Sequence, residues 1–173
     1  MALTVETGTG MATANAYVSV ADVVSYAANR GLAFEQAVSL QEAAIIRATA
    51  YIDARYGHRF SGSRLKDRDQ ALRWPRWDAL DTEGILIRSD EVPVEIRHAT
   101  CEAAIRELAT PNSLQPDYER GGQVKSLKAG SVEIVYADGA TPETVMTSID
   151  NALAGILSPR KAGSITFGKV VRG

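Results

Sequence analysis

The chain has 173 residues, 45% of them hydrophobic, which is enough apolar content for one folded domain and too much for wholesale disorder. No run approaches about eighteen apolar residues, so no membrane span is expected, and a net charge of −2 is not that of a basic nucleic-acid coat. One cysteine (Cys101) and two histidines exclude an intramolecular disulfide framework and a Cys/His zinc site within one chain.

Residues Met1 to Ser19 show no helical period and read as an extended arm. The first ten lack the basic and apolar regions of a signal peptide, so synthesis in the cytoplasm is the expectation. Gly8-Thr9-Gly10 lacks the later Gly and Lys of a phosphate loop. Ser19 with Asp22 predicts a helix start, and Gly31 its stop. A second helix is expected between a capping box, Ser39 with Glu42, and Gly57. Its two apolar stripes are Ala43, Ile46, Ala50, Asp53 and Ile45, Thr49, Ile52, Tyr56, and its length suits a central core helix.

From His58 to Arg88 no period survives, and Leu72, Trp74, Trp77, Leu80, Ile85 and Ile87 are the anchors a long loop would need. A third helix is predicted from Pro93, with Val94, Ala99, Cys101, Ile105 and Leu108 inward, ending at Pro111. Gln123 to Tyr136 reads as a hairpin around a two-residue Gly130-Ser131 turn. That register sets Ala129 against Val132, Leu127 against Ile134 and Lys128 against Glu133, an attractive cross-strand pair. The last helix opens at Thr141-Pro142, carries Val145, Ile149, Leu153 and Ile156 at helical spacing, and closes at Pro159. The fold class expected is mainly α: about four helices with one β-hairpin, a long irregular loop and extended terminal arms. Residues 1–157 form the domain, and 158–173 an alternating C-terminal arm with Ile165, Phe167 and Val171 on one set and Lys169 and Arg172 among its cations. Such a strand has no partner in its own domain and suits docking on another chain.

Charge is placed unevenly. Arg55, Arg59, Arg64, Lys66, Arg68, Arg73 and Arg76 face only Asp67 and Asp69 within their segment, a local excess of +5, while the flanks carry −7. This basic loop reads as a subunit interface, a DNA-facing surface or a solvated stretch of arginines. Trp74-Pro75-Arg76-Trp77 within it has two readings, a core plug at Trp74 or a base-stacking platform.

Signatures of catalysis are missing: no Gly-x-Ser-x-Gly elbow, HExxH or Walker motif occurs. His58 and His98 have no visible partner, Cys101 in an alanine-rich helix reads as a small buried hydrophobe, and Asp53 reads as a buried carboxylate paired with an arginine of the following segment. No enzyme activity, cofactor or metal is expected.

Several blocks in order carry a resemblance. They are Val5–Gly8 with Ala14–Ser19, then Ile46–Asp53, Gln70–Arg76, the Val92-Pro93 helix start, and Gly121–Lys125. Together they resemble tailed-phage head–tail connector (adaptor) proteins, the group often labelled DnaT-like single-stranded-DNA-binding proteins. The resemblance implies a virion protein at the head–tail interface that docks on the portal protein. It further implies neighbouring copies in a ring of about twelve and a platform for a tail or neck protein, with DNA passing through the channel without sequence specificity. The DnaT-like label implies instead a protein that binds single-stranded DNA. Unequal charge along the chain favours the connector, because a ring interface needs two different complementary surfaces.

Overall fold

Ser19 and Asp22 cap the first helix reciprocally. The Ser19 Oγ accepts the Asp22 N–H at 3.2 Å and the Asp22 carboxylate accepts the Ser19 N–H at 2.9 Å, starting α1 (Val20–Ala28). The chain leaves α1 through Gly31 at φ 67°, a left-handed turn that suits glycine, as the spacing predicts. This is a computed structural model, in which residues 2–115, 126–129, 132–135 and 146–158 are described.

Helix α2 (Val38–Tyr56) starts one residue ahead of the expected capping box. Ala37 is its N-cap, without a side-chain bond, so Ser39 already lies in the first turn. The start is drawn forward by a tertiary contact: buried Gln41 donates its Nε2–H to the Phe34 carbonyl at 2.5 Å, tying the helix to the buried Phe34. Of the two stripes, Ile45, Thr49, Ile52 and Tyr56 face the core, whereas Ala50 is exposed and Ala43, Ile46 and Asp53 sit at the margin.

The hub is not α2 but α3 (Val94–Ala109), which packs on α1, α2 and the last helix, α4 (Thr147–Leu153). Its buried face is Ile96, Ala99, Thr100, Cys101, Ala103, Ala104 and Glu107, while Val94 is exposed and Ile105 and Leu108 are half-buried. Ala99, Ala103 and Ala104 of α3 and Ala44 and Ala48 of α2 are all buried, and the two helices pack on each other. Pro93 is the N-cap, and Thr110 and Pro111 follow the last turn. In α4 and just beyond it, Ile149, Leu153, Ile156 and Leu157 are buried. Its expected opening at Thr141-Pro142, with Val145 and Pro159, lies outside the described residues.

The hairpin has the predicted register. Strands β3 (Ser126–Ala129) and β4 (Val132–Val135) pair antiparallel with Ala129 against Val132, Lys128 against Glu133 and Leu127 against Ile134. Gly130 and Ser131 themselves lie outside the described residues. So does the proposed docking arm with Ile165, Phe167, Lys169, Val171 and Arg172.

The N-terminal segment, expected as an arm, has no helix but is docked. Val5 bridges Ala16, and Ala14, Ala16, Tyr17 and Val18 are buried. Glu6 organises it. Its Oε1 accepts the N–H groups of Gly8, Thr9 and Gly10 at 2.9–3.0 Å, and Oε2 accepts that of Met11 at 2.8 Å. The Gly8-Thr9-Gly10 backbone is therefore an anion nest filled by the chain's own carboxylate.

Candidate nucleic-acid interface

The loop from residue 58 to 88 is held by polar pins rather than by long secondary structure. Tyr17 donates its hydroxyl to Asp53 Oδ1 at 2.5 Å and accepts the backbone N–H groups of Arg73 at 3.1 Å and Trp74 at 3.2 Å, while Asp53 Oδ2 also accepts the Arg73 N–H at 2.9 Å. Asp53 thus meets the expected arginine through its backbone. Buried Gln70 donates Nε2–H bonds to the Leu72 and Pro75 carbonyls at 2.8 and 3.0 Å. Two-residue strands β1 (Ser63–Arg64) and β2 (Arg76–Trp77) pair antiparallel and close the loop on itself. Gly62, at φ 66°, allows this closure, since a Cβ there would overlap the Trp77 carbonyl oxygen.

Strand alternation sorts the motif. Trp74 is 1% exposed, its ring edge-on to Phe60 with centroids 5.7 Å apart. It is the predicted anchor. Arg76 points inward and Trp77 outward, as successive residues of a strand must. Arg76, read from the sequence as part of the basic surface, is 7% exposed and donates to the carbonyls of Ser61 and Gly62 at 2.6 Å and of Arg73 at 3.2 Å, with Phe60 at 3.4 Å. Burial, followed by the neighbouring Arg73 charge, lowers its pKa. Its guanidinium is a buried clip for the loop backbone.

Trp77 is 51% exposed, and its indole N–H bonds the Leu65 carbonyl at 3.2 Å, so the ring is tethered with one side open. Trp77, Leu80 and Ile85, expected as loop anchors, are surface residues instead; Trp77 is turned out by the strand alternation, and at Ile85 the Asp81 Oδ1 gathers the N–H groups of Glu83 and Ile85 into a tight turn. Lys66, Arg68 and Arg73 are exposed, Arg55, Arg59 and Arg64 half-buried. Arg59 reaches the Ser158 carbonyl at 3.2 Å and Arg64 the Gln70 carbonyl at 3.4 Å. Of the seven predicted basic residues the loop exposes three, Lys66, Arg68 and Arg73, on the same loop as Trp77, while Arg55 lies on α2.

Cys101 is buried, which pushes its thiol up to about 12, as expected of a small core hydrophobe. His98 packs against Tyr26 with the rings tilted and their centroids 5.1 Å apart, and burial, then the Arg30 charge, lowers its pKa. Among the described residues no group of three His, Cys, Asp or Glu side chains could hold a metal, and no helix is long and apolar enough to cross a membrane. Sequence reasoning missed Tyr17, Gln70 and Glu6 as the pins of the site. All three fall inside the blocks that carry the family resemblance, which is the one signal that marks them.

Burial raises the Asp53 carboxyl from 3.8 to about 6, against the lowering pull of the Tyr17 and Arg73 hydrogen bonds and of the Arg73 and Arg64 charges. A carboxyl with a higher pKa folded than unfolded contributes stability below 3.8 that is lost as pH rises through about 6. The wild type should therefore lose about 1–2 kcal/mol relative to Asp53→Asn between pH 4 and pH 7. Urea titrations of both proteins across that range check it, and a constant difference would show that the carboxyl titrates normally.

A family model described as "Putative DnaT-like ssDNA binding protein" matches residues 1–173. No curated protein and no solved structure matches the chain.

Proposed function

The chain belongs to the DnaT-like single-stranded-DNA-binding family, and from that membership we propose that it binds single-stranded DNA on the outer face of the 59–77 loop. Trp77 carries the reading: a half-exposed indole, fixed through its N–H to Leu65, on a loop with exposed Lys66, Arg68 and Arg73. An unpaired base stacks on the open side of the ring while the cations meet phosphates. Only one tryptophan is available, so most of the affinity comes from phosphate contacts and falls steeply with salt. Asp67, Asp69 and Asp78, also exposed nearby, confine favourable phosphate contacts to the cationic side chains between them. The role is one of binding, with no reaction or cofactor assigned.

Fluorescence anisotropy with a labelled twelve-nucleotide strand, at 50 and 200 mM salt, tests it. Trp77→Ala should weaken binding by roughly tenfold, one stacked base, without lowering the melting temperature. No binding by the wild type, or unchanged binding by the variant, would refute the reading.

A second reading, the head–tail connector, is favoured by apolar surface. Trp77, Leu80, Ile85 and Leu86 are exposed on one loop, and Leu32, Val38 and Leu40 on the segment entering α2. Exposed apolar side chains on two separate segments of one chain suit the heterologous contacts of a ring seated in the virion between a portal and a tail protein. Negative-stain imaging of the protein with its cognate portal distinguishes the two: rings on the portal that form without DNA support the connector.

A further inference from the structure

The turn at residues 78–88 folds into a short ribbon with one open edge. Leu80 and Leu86 are antiparallel bridge partners, flanked by bonds from the Ile87 N–H to the Ala79 carbonyl at 2.8 Å and from the Asp81 N–H to the Ile85 carbonyl at 3.0 Å. In a pair flanked in this way, the backbone groups of the two residues point away from each other. Those of Leu80 are taken on the inner side by one hydroxyl: its N–H donates to Ser61 Oγ, and that hydroxyl donates to its carbonyl, both at 2.8 Å. Those of Leu86 point to the outer side, where no described residue bonds them. Leu86 is 64% exposed, and Leu80, its neighbour on the same face, 44%. A bare edge that carries exposed leucines is a template for another strand.

Charge selects which strand fits. The ribbon carries Asp78, Asp81 and Glu83, and its one cation, Arg88, is paired with Asp90 at 2.7 Å and lies 3.9 Å from Glu91. A second copy of the same edge would therefore set like charges against each other. The strand that fits is basic, with apolar residues at alternate positions, and the chain contains one. Residues 158–173 alternate through Ile165, Phe167 and Val171 and hold Arg160, Lys161, Lys169 and Arg172 without an acid. The sequence pattern shows this segment no partner in its own domain, but the structure puts its root beside the ribbon. The Thr82 N–H donates to the Gly155 carbonyl at 2.8 Å. Ser158 donates its N–H to the Arg59 carbonyl at 3.0 Å and accepts from Arg59 Nε at 3.2 Å. Two residues beyond Arg59 stands Ser61, which holds Leu80, and Leu80 pairs with Leu86. From Ser158 to Ile165 the chain can extend about 23 Å, enough to pass round the ribbon to its outer edge. A segment tethered so near has an effective concentration on the order of millimolar, which favours the chain's own tail over that of another copy.

We propose that residues 164–171 of the chain's own C-terminal segment add as a strand to the Leu86 edge. Ile165 and Phe167 then cover Leu86 and Leu80, and the cations of the segment are set against the acids of the ribbon. The proposal does not depend on the DNA reading. Amide hydrogen exchange on the full chain tests it. The Leu86 amide, which no described residue bonds, should exchange at least about tenfold more slowly than an unprotected amide. Phe167→Asp and Ile165→Asp should each return it to within about twofold of the unprotected rate, whereas Phe167→Leu, which keeps an apolar side chain, should retain most of the protection. A nitroxide on Ser164→Cys then identifies the source of the strand by nuclear magnetic resonance, Cys101 being buried away from the label. In isotope-enriched chains that carry the nitroxide, the Leu86 resonance should broaden, and Phe167→Asp should abolish the broadening. In a mixture of enriched chains without nitroxide and unenriched chains with it, the resonance should stay sharp. A Leu86 amide that exchanges at the unprotected rate would overturn the proposal. Protection that survives both aspartate variants would overturn it too, because another occupant would hold the edge. Broadening in the mixture would give the edge to the tail of a neighbouring copy and overturn the assignment to the chain's own segment.

Discussion

Replacing Trp74 by alanine is expected to cost about 3–5 kcal/mol of folding stability, the largest effect of any single substitution in the loop. The ring is 1% exposed and edge-on to Phe60, and its indole N–H has no hydrogen-bond partner. Its contribution is therefore packing, and the deletion leaves a cavity that the neighbouring backbone is poorly placed to fill. The peptide N–H of Trp74 is held by the Tyr17 hydroxyl, which is itself bonded to Asp53 on α2, so the chain at this point has little freedom to collapse inward. For a domain of this size the loss corresponds to a melting temperature lower by roughly 10 °C. Trp74→Phe should cost much less, because it keeps a ring against Phe60 and removes a buried N–H that is unpaired. Below the melting transition, strand affinity of both variants should stay within about twofold of wild type, since the open stacking face belongs to Trp77. Thermal melting beside anisotropy separates the two roles. Trp74→Ala that melts like the wild type but loses strand affinity would place Trp74 at the ligand instead.

How far such features can be read in a sequence depends on the range of the interaction that fixes them. The α1 cap and the hairpin register are legible because Ser19 with Asp22, and Lys128 with Glu133, are set by neighbours a few residues away. The start of α2 is not, because the bond that shifts it joins Gln41 to Phe34 outside the helix. The choice of α2 over α3 as the hub fails for a different reason. The α3 face is built from alanines, which leave a weak apolar period even when fully buried. The basic loop is visible as composition, but composition cannot tell an inward guanidinium from an outward one. Arg76 and Arg68 look alike until β1 and β2 pair and fix the alternation. Glu107 is further still from legibility, since its partner Arg47 lies sixty residues earlier on another helix.

Arg76→Leu is expected to destabilise the protein by about 3 kcal/mol, whereas Lys66→Ala and Arg68→Ala should each stay within about 0.5 kcal/mol. The difference follows from what each cation faces. The Arg76 guanidinium satisfies the carbonyls of Ser61, Gly62 and Arg73, with a longer bond to Phe60, in a place where water does not replace it. Leucine fills much of the volume but offers no donor, so several buried acceptors go unpaired together. Lysine is no remedy: its ammonium is a point charge without the planar fork that spans separate carbonyls, and Arg76→Lys should recover only part of the stability. Lys66 and Arg68 are exposed, and their removal should act on binding instead, weakening the strand at all sequences alike and reducing the salt slope by about one for each phosphate left without its cation. Urea denaturation and salt-dependent anisotropy on the three variants give both readouts. If Arg76→Leu unfolds at the wild-type urea concentration while its salt slope falls, the guanidinium meets phosphate and the clip is not structural. If Lys66→Ala and Arg68→Ala leave the slope unchanged, the strand does not cross this face of the loop.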